Sequence, residues 1–213
     1  MGTAERKQRE KEQRRQDIIL AAEKVFFSKG IQTATVDEVA EAAELSKGTI
    51  YLYFKDREEI IAALFSRGMA LLRDMMVEAA SKCKGSIKKI RALGKVYLDF
   101  AKRHPGHFAL MLEKELHRFD VDENRPEAIA CIQAGLQLLT MLKMILIEGI
   151  QEGAIRKDVD PAQLALIIWG ELHGVIAIAS QEEHCEYFQQ FCKFDLESIV
   201  TVTIEAIIGG IKK

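Results

Sequence analysis

The stretch TVDEVAEAAELSKGTIYLYFK, residues 35–55, decides the fold class of this chain. Thr35 stands three residues before Glu38, which is the spacing of a capping box, and predicts a short helix over about residues 36–43. After a tight connection, Ser46 is placed to cap another short helix that runs nearly to the end of the stretch. Two short helices joined by so tight a turn indicate a helix-turn-helix.

Helical periodicity continues on both sides of this stretch. A first helix is expected from Asp17 to a stop at Gly30, and a long fourth helix over about 57–83. Residues 200–204 (VTVTI) alternate like a strand, but the helical spacing around them persists for longer. Further helices are predicted at about 86–103, 105–118, 126–152, 161–181 and 195–211. The class is therefore all-α: a three-helix helix-turn-helix domain followed by a larger helical domain.

Composition is that of a globular protein whose first residues are charged. The 213 residues are 48% hydrophobic and 29% charged, with a net charge of −2. The longest uncharged run, residues 128–142, is too short and too polar to span a bilayer, and the charged start does not resemble a secretory signal. We expect a cytoplasmic protein without membrane contact, divided into a basic N-terminal arm (1–15), a helix-turn-helix domain (16–60) and a larger helical domain (61–213).

The sequence gives little support to an enzyme or to a metal site. The four cysteines show no C-x-x-C spacing and are expected to be reduced, buried thiols. Glu113, Glu115 and His117 share a predicted helix and could hold a metal, but such a group is far more often a solvated face. Phosphate-binding, dinucleotide-binding and nucleophile-elbow motifs are absent from the sequence. No catalytic residue, cofactor or metal is predicted.

The second helix of a helix-turn-helix enters the major groove of DNA, so its exposed positions decide whether this interpretation is chemically sensible. Lys47 offers a donor to guanine or phosphate, and Tyr51 offers a ring and a phenol. Gly48 would let the backbone approach DNA closely. The predicted DNA-binding residues are Thr35, Ser46, Lys47, Gly48, Thr49, Tyr51, Tyr53 and Lys55. Spacing alone leaves open a compact three-helix cap in which both tyrosines are ordinary half-buried aromatics.

A family resemblance adds to this interpretation. Ile18-x-x-Ala-Ala-x-x-x-Phe26, Gly30 and residues 35–55 closely resemble the DNA-binding domain of the TetR/AcrR family of bacterial transcriptional regulators. The resemblance covers about residues 14–62, and no position within the motif departs from it. It implies that the eight residues named above lie at or beside positions that contact operator DNA.

The resemblance also implies that residues 61–213 are a ligand-binding and dimerisation domain. Within it, a homodimer would be built through the helices near 161–181 and 195–211. The first of these is apolar on nearly every side, as the run Leu164–Trp169 shows, and one chain has limited means to cover it. A two-fold pair of DNA-binding domains would meet a palindromic double-stranded operator. Repression is favoured over activation because the family mostly works by occluding promoters.

Apolar, adaptable side chains between the two ends of the chain could line a pocket for a small hydrophobic effector. His173 is the candidate polar anchor, although a core histidine bonded to a backbone carbonyl is the more common arrangement. Any one of the residues named next is more often ordinary core, and it is their enrichment as a group that indicates a cavity. The predicted ligand-binding residues are Phe108, Met111, Leu112, Met141, Met144, Trp169 and His173.

Residues 5–15 (ERKQREKEQRR) carry six basic and three acidic side chains and no apolar one. They could form a solvated helix extension, a mobile tail, or a basic arm that lies on phosphates. Taken together, the sequence predicts a ligand-responsive repressor that an effector releases from its operator. The alternatives are a transcriptional activator or a DNA-binding regulator without a small-molecule ligand.

Overall fold

The computed structural model describes residues 2–112, 126–180 and 195–213. Within these residues the chain is helical and contains no β-strand, which confirms the all-α prediction, including helix over residues 200–204. The helices are α1 (Thr3–Lys29), α2 (Val36–Ala42), α3 (Lys47–Ile50), α4 (Arg57–Ser81), α5 (Ser86–Arg103), α6 (Pro105–Leu112), α7 (Pro126–Gln151), α8 (Pro161–Ala179) and α9 (Leu196–Ile211).

The chain forms two compact units. Unit 1 comprises Met1–Gly68 with Ala109–Cys131, and unit 2 comprises Met69–Phe108 with Ile132–Lys213. The predicted boundaries at 15 and 60 are a different division of the chain, and they stay a prediction.

Unit 1 is built on a small apolar core between α1, α2, α3 and the start of α4. Its side chains come from one face of each short helix, so two short helices become stable by packing on α1 rather than by their own length. The core buries Phe26, Ile31, Val39, Ile50 and Phe54, and the partly exposed Leu45 packs against it.

Two polar caps and one turn set the geometry of α2 and α3. Thr35 Oγ1 accepts from the Glu38 amide at 3.3 Å while the Glu38 carboxylate accepts from the Thr35 amide at 2.9 Å, which completes the predicted capping box. Ser46 Oγ accepts from the Thr49 amide at 3.1 Å. Between these caps Glu44 has φ of +54°, a left-handed conformation that turns the chain sharply from α2 into α3.

In unit 2, α9 packs against both α8 and α5. The end of the chain is joined to the turn after α7, because the Arg156 amide donates to the Ile211 carbonyl at 2.9 Å. Ser86 and Ile155 pack closely against α7 at Gly149, which has no side chain. A Cβ atom at Gly149 would lie 2.6 Å from Ser86 Oγ and 2.8 Å from Ile155 Cγ1.

Several expectations about element ends need correction. The helix expected from Asp17 begins fourteen residues earlier, at Thr3, so residues 5–15 form a helix extension rather than a mobile tail. The third helix ends at Ile50, and residues 51–53 continue as turns in which the Leu52 amide donates to the Thr49 carbonyl at 3.1 Å.

The cysteine prediction is tested in part. Cys131 is a free, buried thiol as expected, whereas Cys83 is free but only half-buried. Cys185 and Cys192 lie outside the described residues, as do Glu113, Glu115 and His117. The described part of the chain contains no group of three or more potential metal ligands.

Candidate nucleic-acid interface and effector cluster

The exposed side of α3 and of the turn after it carries the predicted DNA-binding residues. Lys47, Gly48 and Tyr51 are exposed, and Tyr51 is 46% accessible. The structure therefore does not fold the Tyr51 ring into the interior. Tyr53 is different, since its side chain is half-buried and packs against the core of unit 1.

The Lys47 ammonium is held in place by an acidic partner from α2. Its Nζ donates to Asp37 Oδ2 at 2.8 Å, and both side chains are more than half exposed. The hydrogen bond from Lys47 to Asp37 raises the pKa of Lys47, so this group stays charged. An exposed ion pair is weak in water, and the lysine can therefore exchange its carboxylate partner for a phosphate or a base edge.

Gly48 has no structural reason to be glycine. A Cβ atom here would meet nothing closer than Ser46 Oγ at 3.7 Å, an ordinary contact, and its φ is negative. Glycine is unfavourable within a helix, and its presence on this exposed surface is compatible with the predicted close approach of DNA.

The four remaining predicted residues also make local structural contacts. Thr35 and Ser46 are the caps described above, and the Thr49 hydroxyl lies 2.8 Å from Ser46 Oγ. Lys55 is exposed, and its backbone amide donates to the Glu59 carboxylate. The side chains of Thr35, Ser46 and Lys55 are exposed as well, so a structural role and a DNA contact are compatible.

Two further residues, which the sequence analysis did not single out, lie at or beside the surface formed by α3 and the turn after it. Leu52 is 78% exposed, although it is a large apolar residue beside Tyr51. The sequence could have indicated this exposure, because Leu52 falls outside the spacing of the core residues Leu45, Ile50 and Phe54. Arg15 places its guanidinium 4.8 Å from the centroid of the Phe54 ring, which joins α1 to the segment after α3.

Aromatic side chains from three helices meet within unit 2. The rings of Tyr97 (α5) and Phe108 (α6) are edge to face with centroids 5.8 Å apart. Trp169 and His173, both from α8, stack at 5.0 Å, and His173 also lies 5.7 Å from Phe108. We call these four residues the aromatic cluster.

Tyr97 gives the cluster a polar centre that the sequence analysis missed. Its hydroxyl lies 2.5 Å from His173 Nδ1, so this histidine has a tyrosine partner that the sequence analysis did not consider. Burial raises the pKa of Tyr97 far above its ordinary value, an effect that Trp169 partly offsets, so the phenol remains protonated and can donate to the imidazole.

The other predicted ligand-binding residues have different surroundings. Met111 is buried and Leu112 is half-buried, and both belong to unit 1. In unit 2, Met141 is half-buried, whereas Met144 is 57% exposed and lies on the outer surface of the single chain. Their role in binding a ligand stays a prediction.

Comparison with known proteins identifies the family. Residues 18–64 match the model of bacterial regulatory proteins of the tetR family, and residues 90–206 match that of the tetracyclin repressor-like C-terminal domain. The chain belongs to the TetR family. It is a DNA-binding transcriptional regulator, as the family resemblance implied, and not an enzyme.

Relatives extend this similarity over nearly the whole chain. The fatty acid metabolism regulator protein of Bacillus subtilis is 28% identical over 195 residues, which are 91% of this chain and 93% of that protein. The structure is similar to that of the fatty acid degradation regulator FadR from Bacillus halodurans (TM-score 0.70, 23% identity, 92% and 95% of the two chains). It also resembles the transcriptional regulator FadR from Bacillus subtilis in complex with stearoyl-CoA (TM-score 0.68, 23% identity, 92% and 98%).

Family membership also bears on the apolar helices. Ile129–Gln151 and Pro161–Ala179 are long and apolar enough to cross a membrane by length and composition, a criterion that core helices of soluble proteins also meet. TetR-family regulators are soluble DNA-binding proteins, so these helices do not indicate a membrane protein.

Proposed function

We propose that this TetR-family regulator acts in the cytoplasm as a homodimeric repressor that a long-chain acyl effector releases from a palindromic operator. The observation that carries the DNA-binding part is the exposed surface of α3, where Lys47, Gly48 and Tyr51 lie together on a turn fixed by two caps. Arg and Lys side chains donate hydrogen bonds to guanine and to phosphate, and aromatic rings contact thymine methyl groups. The side chains on this surface can therefore contact base edges in the major groove of DNA.

Binding to DNA is tested by selecting duplexes from a random library with the full-length protein. We expect an inverted repeat to be enriched, with half-sites about 34–36 Å or a multiple of this apart. Lys47→Ala and Tyr51→Ala should lose the preference for that repeat over unrelated DNA while the chain stays folded. Lys88→Ala, which removes an exposed lysine from α5, is the matched control. Retention of the native preference by both α3 variants would refute the assignment of these residues.

The dimer is supported by an apolar face that a single chain leaves uncovered. On α8, Ile167 and Ile178 are 53% and 48% exposed, and they lie on the same face as Gly170 and Gly174. On the neighbouring α9, Val202 is 65% exposed. Large exposed apolar patches mark interaction surfaces, and a two-fold pairing of this face with itself would bury it.

Val202→Asp tests the dimer because it places a charge within that face. We expect the molar mass from light scattering to fall toward that of one chain, together with the affinity for the inverted repeat. Val77→Asp is the control, since Val77 is also exposed (52%) but lies on α4. A dimer that survives Val202→Asp as well as Val77→Asp would argue for a different interface.

The aromatic cluster supports the effector part of the proposal. The side chains of Tyr97 and Phe108 are only 2% and 3% exposed, whereas that of Trp169 is 36% exposed and reaches the surface. Tyr97 and His173 add a polar pair to these apolar walls. Apolar walls with few polar groups are typical of sites for hydrophobic ligands. The name of the Bacillus subtilis relative and the stearoyl-CoA bound to a similar structure make acyl chains the first class to test.

The coupling between effector and DNA would be a population shift. An effector that binds better to a conformation with poorly placed DNA-binding units must lower operator affinity by the same coupling free energy. The long helix α4 contributes residues to both units and is the natural element to transmit the change.

Release is measured by titrating the protein–DNA complex with stearoyl-CoA and, separately, with stearate and free coenzyme A. Stearoyl-CoA or stearate should displace the DNA, and free coenzyme A should not. Trp169→Ala should change the midpoint of this titration more than it changes DNA affinity. An identical dose response for Trp169→Ala would remove the cluster from the effector site, and no displacement by any acyl compound would refute the effector class.

A further inference from the structure

Helix α1 extends well beyond the core that it helps to form. It begins at Thr3, yet its first fully buried side chain is Ile18. Residues 4–14 are exposed throughout and include no large apolar side chain. Burial therefore does not account for this part of the helix.

The charges on this extension are sorted by face. Lys11 lies four residues after Lys7, and Arg14 and Arg15 lie three and four residues after Lys11. These four cations continue the line of Ile18, Ala22 and Val25, which is the face of α1 that packs on the core. We call these four cations the basic stripe. The acidic residues Glu5 and Glu12 lie on other sides of the helix, and Glu10 borders the stripe, three residues after Lys7 and four before Arg14.

Internal ion pairs reinforce this separation. Arg6, off the stripe, donates to Glu10 at 2.8 Å and is neutralised within the helix. By contrast, none of the described residues forms an ion pair with Lys7, Lys11 or Arg14. The stripe therefore presents cations without intrahelical compensation.

The position of Arg15 ties the stripe to the DNA-binding surface. Its guanidinium lies over the ring of Phe54, at 4.8 Å from the centroid, and Phe54 stands between Tyr53 and Lys55. The C-terminal end of the stripe is thus adjacent to the segment that follows α3. If a DNA duplex is bound at α3, its phosphate backbone is the anionic surface nearest to this end of the stripe.

From this geometry we infer that the basic stripe is a second DNA-contact site, which binds backbone phosphates beside the groove occupied by α3. The inference rests on the proposed DNA-binding function. Lys7 to Arg15 rises about 12 Å along the helix, and phosphates recur about every 3.4 Å along the axis of one strand, so the stripe is long enough for several contacts. An anionic membrane is the weaker partner, because a helix that lies on lipid needs an apolar face and residues 5–17 have none.

Two double variants of the full-length protein test the stripe. K7Q/K11Q removes two cations from the stripe, and R6Q/R9Q removes two cations from other faces of the same segment. Glutamine has nearly the helix propensity of lysine and arginine, so the helix should persist in both, which far-UV circular dichroism checks. The probe is a 30-base-pair duplex of random sequence, because phosphate contacts do not depend on sequence.

The readout is the dependence of affinity on salt concentration. Loss of two phosphate contacts reduces the slope of log affinity against log salt by about 1.8 for each bound protomer. Between about 50 and 200 mM salt, the native protein should therefore lose about 12-fold more affinity than K7Q/K11Q does for each bound protomer. R6Q/R9Q should retain most of the native slope.

Each other result overturns the inference. Equal slopes for K7Q/K11Q and the native protein would show that the stripe makes no phosphate contact. Equal reductions by both double variants would show a general effect of charge rather than a contact by one face. A failure of the proposed function is recognised separately, by the absence of an enriched inverted repeat in the library selection.

Discussion

The DNA-binding segment and the C-terminal helices of unit 2 are both helical, but they are stabilised by different interactions. In residues 35–55 short helices are fixed by individual polar contacts, such as the Thr35–Glu38 capping box and the Ser46 cap. In unit 2 the long helices α8 and α9 are fixed by apolar packing, and they leave side chains such as Ile167 and Val202 exposed. Specific local contacts tie sequence to position, whereas apolar packing tolerates many equivalent side chains.

The largest expected effect separates core from surface within the DNA-binding segment. Phe54→Ala should lower the free energy of unfolding by about 3–5 kcal/mol, because Phe54 is 1% exposed in the core of unit 1. Leu52→Ala, two residues away and 78% exposed, should change it by about 0.5 kcal/mol or less. Urea unfolding at one fixed protein concentration measures both.

Leu52→Ala has a second expected result, since this exposed leucine lies beside Tyr51 on the surface proposed to bind DNA. Its affinity for duplex DNA should fall although its stability does not. If Leu52→Ala were as destabilising as Phe54→Ala, the outward orientation of the turn after α3 would be wrong.

A smaller effect compares one glycine from each region. Gly149→Ala should destabilise the protein by about 1–3 kcal/mol, because the new methyl group would crowd Ser86 and Ile155. Gly48→Ala should instead stabilise it by up to about 1 kcal/mol, since the site is open and alanine favours helix.

The Gly48 variant also distinguishes folding from function. The more stable Gly48→Ala protein should bind the inverted repeat less tightly, because its methyl group would stand between the backbone and DNA. Thermal melting and DNA titration of the same preparation give both quantities. Unchanged DNA affinity would mean that this glycine does not lie at the interface.

The smallest effect is a pH dependence of the cap on α2. Hydrogen bonding to Lys29, with further bonds from Thr35, lowers the pKa of Glu38 from 4.5 to about 2. A carboxylate with a lowered folded-state pKa stabilises the fold above pH 4.5, and this contribution is lost as the pH falls from about 4.5 to about 2.

Glu38→Gln removes the titrating group and keeps an acceptor for the Thr35 amide. Its unfolding free energy should therefore vary less with pH across that interval than the native protein's does. Denaturation at pH 7, 4 and 3 measures the difference. Parallel pH profiles would show that the capping carboxylate is not the group responsible.

The same contrast explains how far the sequence could be interpreted. Thr35, Glu38 and Ser46 act on neighbours three residues away, so their spacing alone predicts the caps that the structure contains. The Tyr97–His173 contact joins residues 76 apart through the packing of α5 against α8, and no local spacing reports it. The helical start at Thr3 was missed for a related reason, since a polar helix without a buried face has no apolar period to detect.

Glu44 bears on how this regulator can diversify. Its positive φ is tolerated well by glycine and asparagine and poorly by β-branched residues. In a saturation library of this codon, valine and isoleucine should be depleted even under selection for expression alone. The angle between the two short helices therefore depends on the left-handed conformation of one residue. The exposed side chains on either side of Glu44 can change, and with them the target sequence, without altering that angle.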